Sequence, residues 1–138
     1  MKRKDLYLNT LIPGIIAISI YFLIRDDYYI SFILEKCHLI DYYRSLFNIT
    51  VNTNSLIGYF IKYSLGDLLW AWAFTFSSFY TFRNYKKTII FSSFIFISFE
   101  IVQQLATIYV SGFDIMDIIA EMVGMFFCII FIKIKYKY

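Results

Sequence analysis

Four stretches of this chain are almost wholly apolar, at about Leu6–Ile24, Leu65–Phe82, Thr88–Val110 and Phe113–Lys133. Each approaches the roughly 20 mostly apolar residues that a helix needs to cross bilayer hydrocarbon, so the pattern predicts four membrane-spanning helices. Between the first two, over about residues 25–63, the pattern changes. Ile30, Ile33, Leu34 and Cys37 recur at helical spacing, with Ser31, Glu35 and Lys36 opposite. That spacing predicts an amphipathic helix lying on the membrane surface, with Asp26 or Asp27 as its N-cap. Tyr28, Tyr29, Tyr42 and Tyr43 suit the headgroup level, where amphipathic rings concentrate. Asn52-Thr53-Asn54-Ser55 then offers a turn and a cap for a short apolar helix ending near Tyr63. Ser64-Leu65-Gly66 breaks that helix, and Asp67 is expected to open the second span, either as its N-cap or as a polar group of a site. Pro13-Gly14 lies inside the first span and predicts a kink, because proline removes a backbone hydrogen bond. Ser111-Gly112 is the tight turn between the last two spans.

Composition strengthens this reading. The 138 residues bound the chain to a single domain, 1–138. They are 60% hydrophobic and 22% aromatic, with a mean hydropathy of +0.65, whereas soluble globular domains average about 45–50% apolar residues. Charge then sets the orientation. Lys2, Arg3 and Lys4 precede the first span; Arg83, Lys86 and Lys87 separate the second from the third; Lys133, Lys135 and Lys137 follow the fourth. With four spans these clusters share one face, which the positive-inside rule makes cytoplasmic. In the segment between spans one and two, Arg25, Lys36, Arg44 and Lys62 are balanced by Asp26, Asp27, Glu35 and Asp41, as expected of an outward face. The net charge of +3 is therefore a topology signal, and no nucleic-acid partner is expected. Lys-Arg-Lys before an apolar run also resembles a signal peptide. No small-residue cleavage site follows, so an uncleaved first span is expected. The expected fold class is an all-α integral membrane protein: a bundle of four transmembrane helices, both termini cytoplasmic, with an outward-facing amphipathic segment between spans one and two. The expected location is the plasma (inner) membrane.

Against that apolar background, Glu100 to Gly124 carries four carboxylates and two glutamines. On a helical wheel Ser93, Gln104, Thr107 and Ser111 fall close to the line of Glu100, with Gln103 beside it. Asp114, Asp117 and Glu121 share a face of the fourth span. The short turn between these spans lets the two stripes face each other, and Asp67 lies at the same membrane level. A charged side chain at a helix centre costs about 2.5–3.5 kcal/mol on insertion scales, while each Leu, Ile or Phe returns about 0.3–0.6. The acids must therefore sit near the interface, face a wet cavity or carry protons, and intramembrane ionisable groups are functional candidates by default. Asp114 and Asp117 also have capping-box spacing and would complement the helix dipole. Glu100 and Glu121 lie too deep for capping. Gln103 and Gln104 could instead pair helices.

The chemistry available is narrow. His38 stands alone in the outward segment, and Cys37 and Cys128 are too far apart to pair and lack metal-ligand spacing; buried Cys128 is expected to be packing. No serine sits in a nucleophile-elbow sequence and no cysteine has a base nearby, so acyl transfer is poorly supported. Ser64-Leu65-Gly66-Asp67 has Ser where intramembrane aspartyl proteases have Gly, and no second motif accompanies it. No cofactor is expected. The carboxylates could hold a divalent cation such as Mg²⁺ or Ca²⁺, exchange protons, or bind a cationic or hydroxyl-rich ligand.

Glu100-Ile101-Val102-Gln103, a short linker, Phe113-Asp114-Ile115-Met116-Asp117 and then Gly124 resemble the signature of the VanZ-like membrane proteins. That signature has a Glu-x-x-Gln helix, an Asp-x-x-Asp opening the next span, and a Gly seven residues after the second Asp. Gly66-Asp67-Leu68-Leu69-Trp70 is similar to the Pro-Asp-Leu-Leu-Trp run of small members. The likeness covers about Tyr63 to Gly124. It departs from the family where many members have an Arg before the first Asp, where Glu121 replaces an Asn, and where Gly66 replaces a Pro. The missing Arg shifts the expectation from an anionic ligand towards a cation or proton. The resemblance implies an outward-facing site at the cell envelope; the founding member is associated with resistance to teicoplanin.

Together these observations place Glu100, Gln103, Asp114 and Asp117 around an outward-opening polar pocket, with Asp67 and Glu121 at its edges. The first expectation is an envelope protein that recognises, and could modify, a lipid-linked or amphiphilic ligand, with membrane lipids as its surroundings. The alternatives are a small proton- or cation-coupled transport component and a structural partner subunit.

Overall fold

The computed structural model describes residues 3–24, 54–106 and 115–136, and among these every element is helical. The expected surface helix near residues 26–37, His38, the Ser111-Gly112 turn and Asp114 lie outside the described residues, as do the side chains of Gln103 and Gln104.

The first helical segment runs from α1 (Arg3–Leu6) through a π-helical turn (Tyr7–Leu11) into α2 (Ile12–Leu23). A π-helical turn thus stands just ahead of Pro13-Gly14, where a kink was expected. Pro13 has no N–H for the carbonyl of Asn9, and its ring crowds that carbonyl; the wider turn containing Asn9 absorbs both problems. The Asn9 side-chain amide donates to the Asp5 carbonyl at 2.8 Å. Helix α3 (Leu56–Tyr63) opens at the expected cap, where Ser55 Oγ accepts from the Gly58 N–H at 3.0 Å. Helix α4 (Leu65–Phe82) matches the expected second span and follows after Ser64 alone. Arg83 closes α4 in the left-handed region, φ 52°, with its guanidinium 4.4 Å from the centre of the Tyr80 ring. Asn84 Oδ1 accepts from the Lys87 N–H at 3.0 Å. That contact starts α5 (Tyr85–Ala106) three residues before the expected Thr88. Helix α6 (Ile115–Tyr136) runs three residues past the expected Lys133.

Helix α4 is central: it packs most extensively on α6 and also on α2 and α5. The buried positions of α6 are Asp117, Ala120, Glu121, Gly124, Met125, Cys128, Ile129 and Ile132. Steps of three and four make these one stripe. On α5 the buried positions Thr88, Ser92, Phe96 and Glu100 recur every four residues. Ala71, Phe96, Met125 and Ile129 form one apolar cluster, and Phe76, Phe79, Cys128 and Ile132 another. Cys128 is fully buried packing, as expected.

The outward faces are apolar too. Ile15, Ile16, Phe94, Ile97, Phe126 and Phe127 are all exposed. Among the described residues α6, with a mean hydropathy of 2.3, is the one helix long and apolar enough to cross a membrane by length and composition. The bundle is also polarised. Lys135 Nζ lies 3.4 Å from Asp5 Oδ1, and Lys133 lies over the Tyr85 ring at 5.5 Å. The start of α1, the α4–α5 turn and the end of α6 therefore share one end, and there Arg3, Lys4, Arg83, Lys86, Lys87, Lys133 and Lys135 are all exposed.

Candidate functional site

The acids gather at the opposite end. There α4 and α6 begin, and α2 and α5 run towards it. Asp67 is the third residue of α4 and does not cap it; Ser64 holds the N-cap position without a side-chain hydrogen bond. The capping expectation for Asp67 is therefore corrected. Its carboxylate turns sideways into the bundle, where Oδ1 accepts from the Tyr21 hydroxyl at 2.5 Å. Gly66 makes that approach feasible. A Cβ there would stand 3.2 and 3.3 Å from two atoms of the Tyr21 ring, closer than ordinary carbon contacts of about 3.5–4.0 Å.

Helix α6 contributes Asp117 from its first turn and Glu121 one turn further in, and α5 contributes Glu100. Asp67 and Glu100 are each 6% exposed, and Asp117 and Glu121 each 5%. Three helices thus bury four carboxyl groups at one level. Glu121 lies within Coulombic reach of Asp67, Glu100 and Asp117. Its Oε2 is buried and has no hydrogen-bond partner. Asp67 and Asp117 sit at helix N-termini, where the backbone dipole favours negative charge; Glu100 and Glu121 lie deeper in their helices. Burial of an ion costs several kcal/mol even after relaxation, so a cluster of this kind needs protons, hydrogen-bond donors or cationic groups to offset its charge.

Small residues hold the acids at this spacing. A Cβ on Gly124, one turn beyond Glu121, would fall 2.4 Å from the Leu68 carbonyl oxygen. Helices α4 and α6 therefore touch backbone to side-chain-free backbone at the floor of the cluster.

Of the six residues expected at the site, Asp67, Glu100, Asp117 and Glu121 come together; Asp114 and the Gln103 side chain lie outside the described residues. Among the described residues no three His, Cys, Asp or Glu side chains converge closely enough to hold a metal ion. Sequence reasoning missed Tyr21, whose partner is 46 residues away. It also missed two wholly buried hydroxyls, Thr75 and Ser92, neither of which has a hydrogen-bond partner. Ser19, Thr81 and Thr88 instead donate to carbonyls four residues earlier, at 2.8, 3.1 and 2.9 Å. A signal for Ser92 was available in the four-residue rhythm Thr88, Ser92, Phe96, Glu100, which all belong to the buried side of α5. Compared with known protein families, curated proteins and solved structures, the chain matches none.

Proposed function

We propose that this chain is a small polytopic envelope membrane protein of the VanZ-like kind. It crosses the plasma membrane four times with both termini in the cytoplasm, and its acidic pocket opens outward to recognise a lipid-linked or amphiphilic ligand. The observation that carries the reading is the convergence of Asp67, Glu100, Asp117 and Glu121 from three helices at one buried level. Four buried carboxyl groups are costly in apolar surroundings, and an intramembrane carboxylate marks a site by default. Two further observations support the orientation: the exposed cations gather at the other end of the bundle, and the outward faces are apolar. The residues that carry the VanZ-like resemblance acquire physical roles here, since Glu100 and Asp117 belong to the cluster and Gly124 sets its floor.

Native mass spectrometry of the protein extracted with its own membrane lipids tests the recognition. A defined lipid on the wild type, absent from Glu100→Gln and Asp117→Asn, is the expected result. Three equally bare proteins would sink the reading. Labelling of single cysteines at residues 86 and 135 only from the cytoplasmic side is the matching topology test.

A second reading, proton or cation coupling, is supported by the buried hydroxyls. Thr88 and Ser92 are buried on α5 between Glu100 and the basic end, and Thr75 is buried on α4 at the level of Ser92, since Phe74 touches both Phe91 and Phe96. Proteoliposomes loaded with a pH dye would acidify on an imposed gradient in the wild type and not in Glu100→Gln.

A further inference from the structure

Between α2 and α4 lies a groove of about 280 Å³ that none of the readings above uses. Gly14 and Ala73 form its floor, Ile18 and Trp70 line one end, and the hydroxyl residues Thr10 and Ser77 line the other. It opens along the exposed edge of α2, where Ile18 is 47% exposed. The groove exists because Gly14 has no side chain: a Cβ there would stand 3.9 Å from the Ala73 Cβ, and anything longer would project into the space.

Its position matters more than its size. Ile18 is one helical turn before Tyr21, and Trp70 is one turn after Asp67. The Tyr21–Asp67 hydrogen bond therefore stands directly over the Ile18–Trp70 end of the groove. The groove follows the first helical segment from Thr10 to Ile18, about 12 Å at the helical rise. Its volume lies just below the roughly 300–1,000 Å³ of pockets that take whole drug-sized ligands. An apolar trough of this volume and length accommodates one linear hydrocarbon chain.

We infer that this groove seats the single hydrocarbon tail, acyl or isoprenoid, of the amphiphile whose polar head meets the acid cluster. The inference rests on the outward recognition site proposed above and narrows its ligand to a one-chain lipid with a hydrogen-bond-donating or cationic head. Glu121 Oε2, buried and without a hydrogen-bond partner, is an acceptor that a donating head would satisfy. The tail runs along the α2–α4 seam, and the head lies beyond the Tyr21–Asp67 hydrogen bond, where α4 begins.

The test uses the full chain in phosphatidylcholine nanodiscs and a hexadecylamine probe carrying a mid-chain diazirine. After irradiation, adducts are mapped by peptide mass spectrometry. In the wild type they should concentrate on α2 and α4 residues of the groove. Gly14→Leu and Ser77→Leu each fill it from a different helix, and each should lower the adducts about tenfold, the effect of a modest steric exclusion. Asp67→Asn combined with Glu121→Gln should lower them as well. Adducts spread evenly over the lipid-facing residues, or unchanged in both leucine variants, overturn the inference. Loss in the acid variant alone leaves the headgroup site standing and removes the groove from it. Loss in the leucine variants alone overturns the headgroup reading and leaves the groove as a site for tails without a head.

Discussion

Replacing Gly124 by alanine tests the close approach on which the acid cluster is built. The added methyl would lie 2.4 Å from the Leu68 carbonyl oxygen and 3.1 Å from its carbonyl carbon and Cα. Ordinary contact begins at 3.4 Å, so α4 and α6 must part by about 1 Å. The obstacle is helical backbone, which cannot rotate away as a side chain would. Overpacking of this kind costs about 1–3 kcal/mol, and an unyielding neighbour places this case at the upper end. The separation also spreads Glu121 from Asp67, because each acid is within one turn of the contact. Gly14→Ala is the control, since its methyl would meet only the Ala73 Cβ at 3.9 Å. Alanine is favoured over glycine in a helix by up to about 1 kcal/mol, so that variant should match or exceed the wild type. Thermal unfolding of all three in the same mild detergent, read by circular dichroism, gives the comparison. A Gly124→Ala protein that melts with the wild type, or a Gly14→Ala protein that melts below it, refutes the packing account.

Other outcomes follow from single contacts. Tyr21→Phe keeps the ring beside Gly66 and deletes the hydroxyl given to Asp67; it should cost about 0.5–1.5 kcal/mol, or up to about 3 with an ionised carboxylate. A double-mutant cycle with Asp67→Asn should show coupling of at least about 0.5 kcal/mol, and additivity would mean that the bond contributes nothing. Glu121→Gln removes one of four buried carboxyl groups and an oxygen that has no partner. It should melt no lower than the wild type yet retain less native lipid, and a marked loss of stability would reveal a structural role instead. Ser55→Ala removes the cap on Gly58 N–H and should cost about 0.5–2 kcal/mol, seen as faster amide exchange in α3. Lys135→Ala breaks a pair whose side chains are 41% and 20% exposed; surface pairs contribute about 0–1 kcal/mol, so a larger shift in melting would mean that Lys135 does more than pair.

Much of the helical framework was legible in the residues themselves. The apolar run Leu65–Phe82 coincides with α4, Ser55 caps α3, and Asp117 and Glu121 share a face of α6 because a helix repeats every 3.6 residues. Local rules sufficed there, since capping and periodicity act within a turn or two. At Asp67 they left two readings, a cap or a polar group of a site, and could not choose between them. A tyrosine from another helix claimed the carboxylate.

The orientation of α4 was beyond any local rule. Its faces are all rich in apolar residues, so no moment points to one neighbour, and α2, α5 and α6 each cover a different side. Whether Gly66 faces Tyr21, and whether Gly124 meets Leu68, depends on how far two backbones can close before atoms collide, and periodicity carries no such information. The sequence by itself determined the apolar helices of the described residues, which end carries the cations, and that acids stand among apolar residues. Only the tertiary structure decided that Asp67, Glu100, Asp117 and Glu121 meet, because their meeting rests on contacts such as Gly124 with Leu68, 56 positions away along the chain.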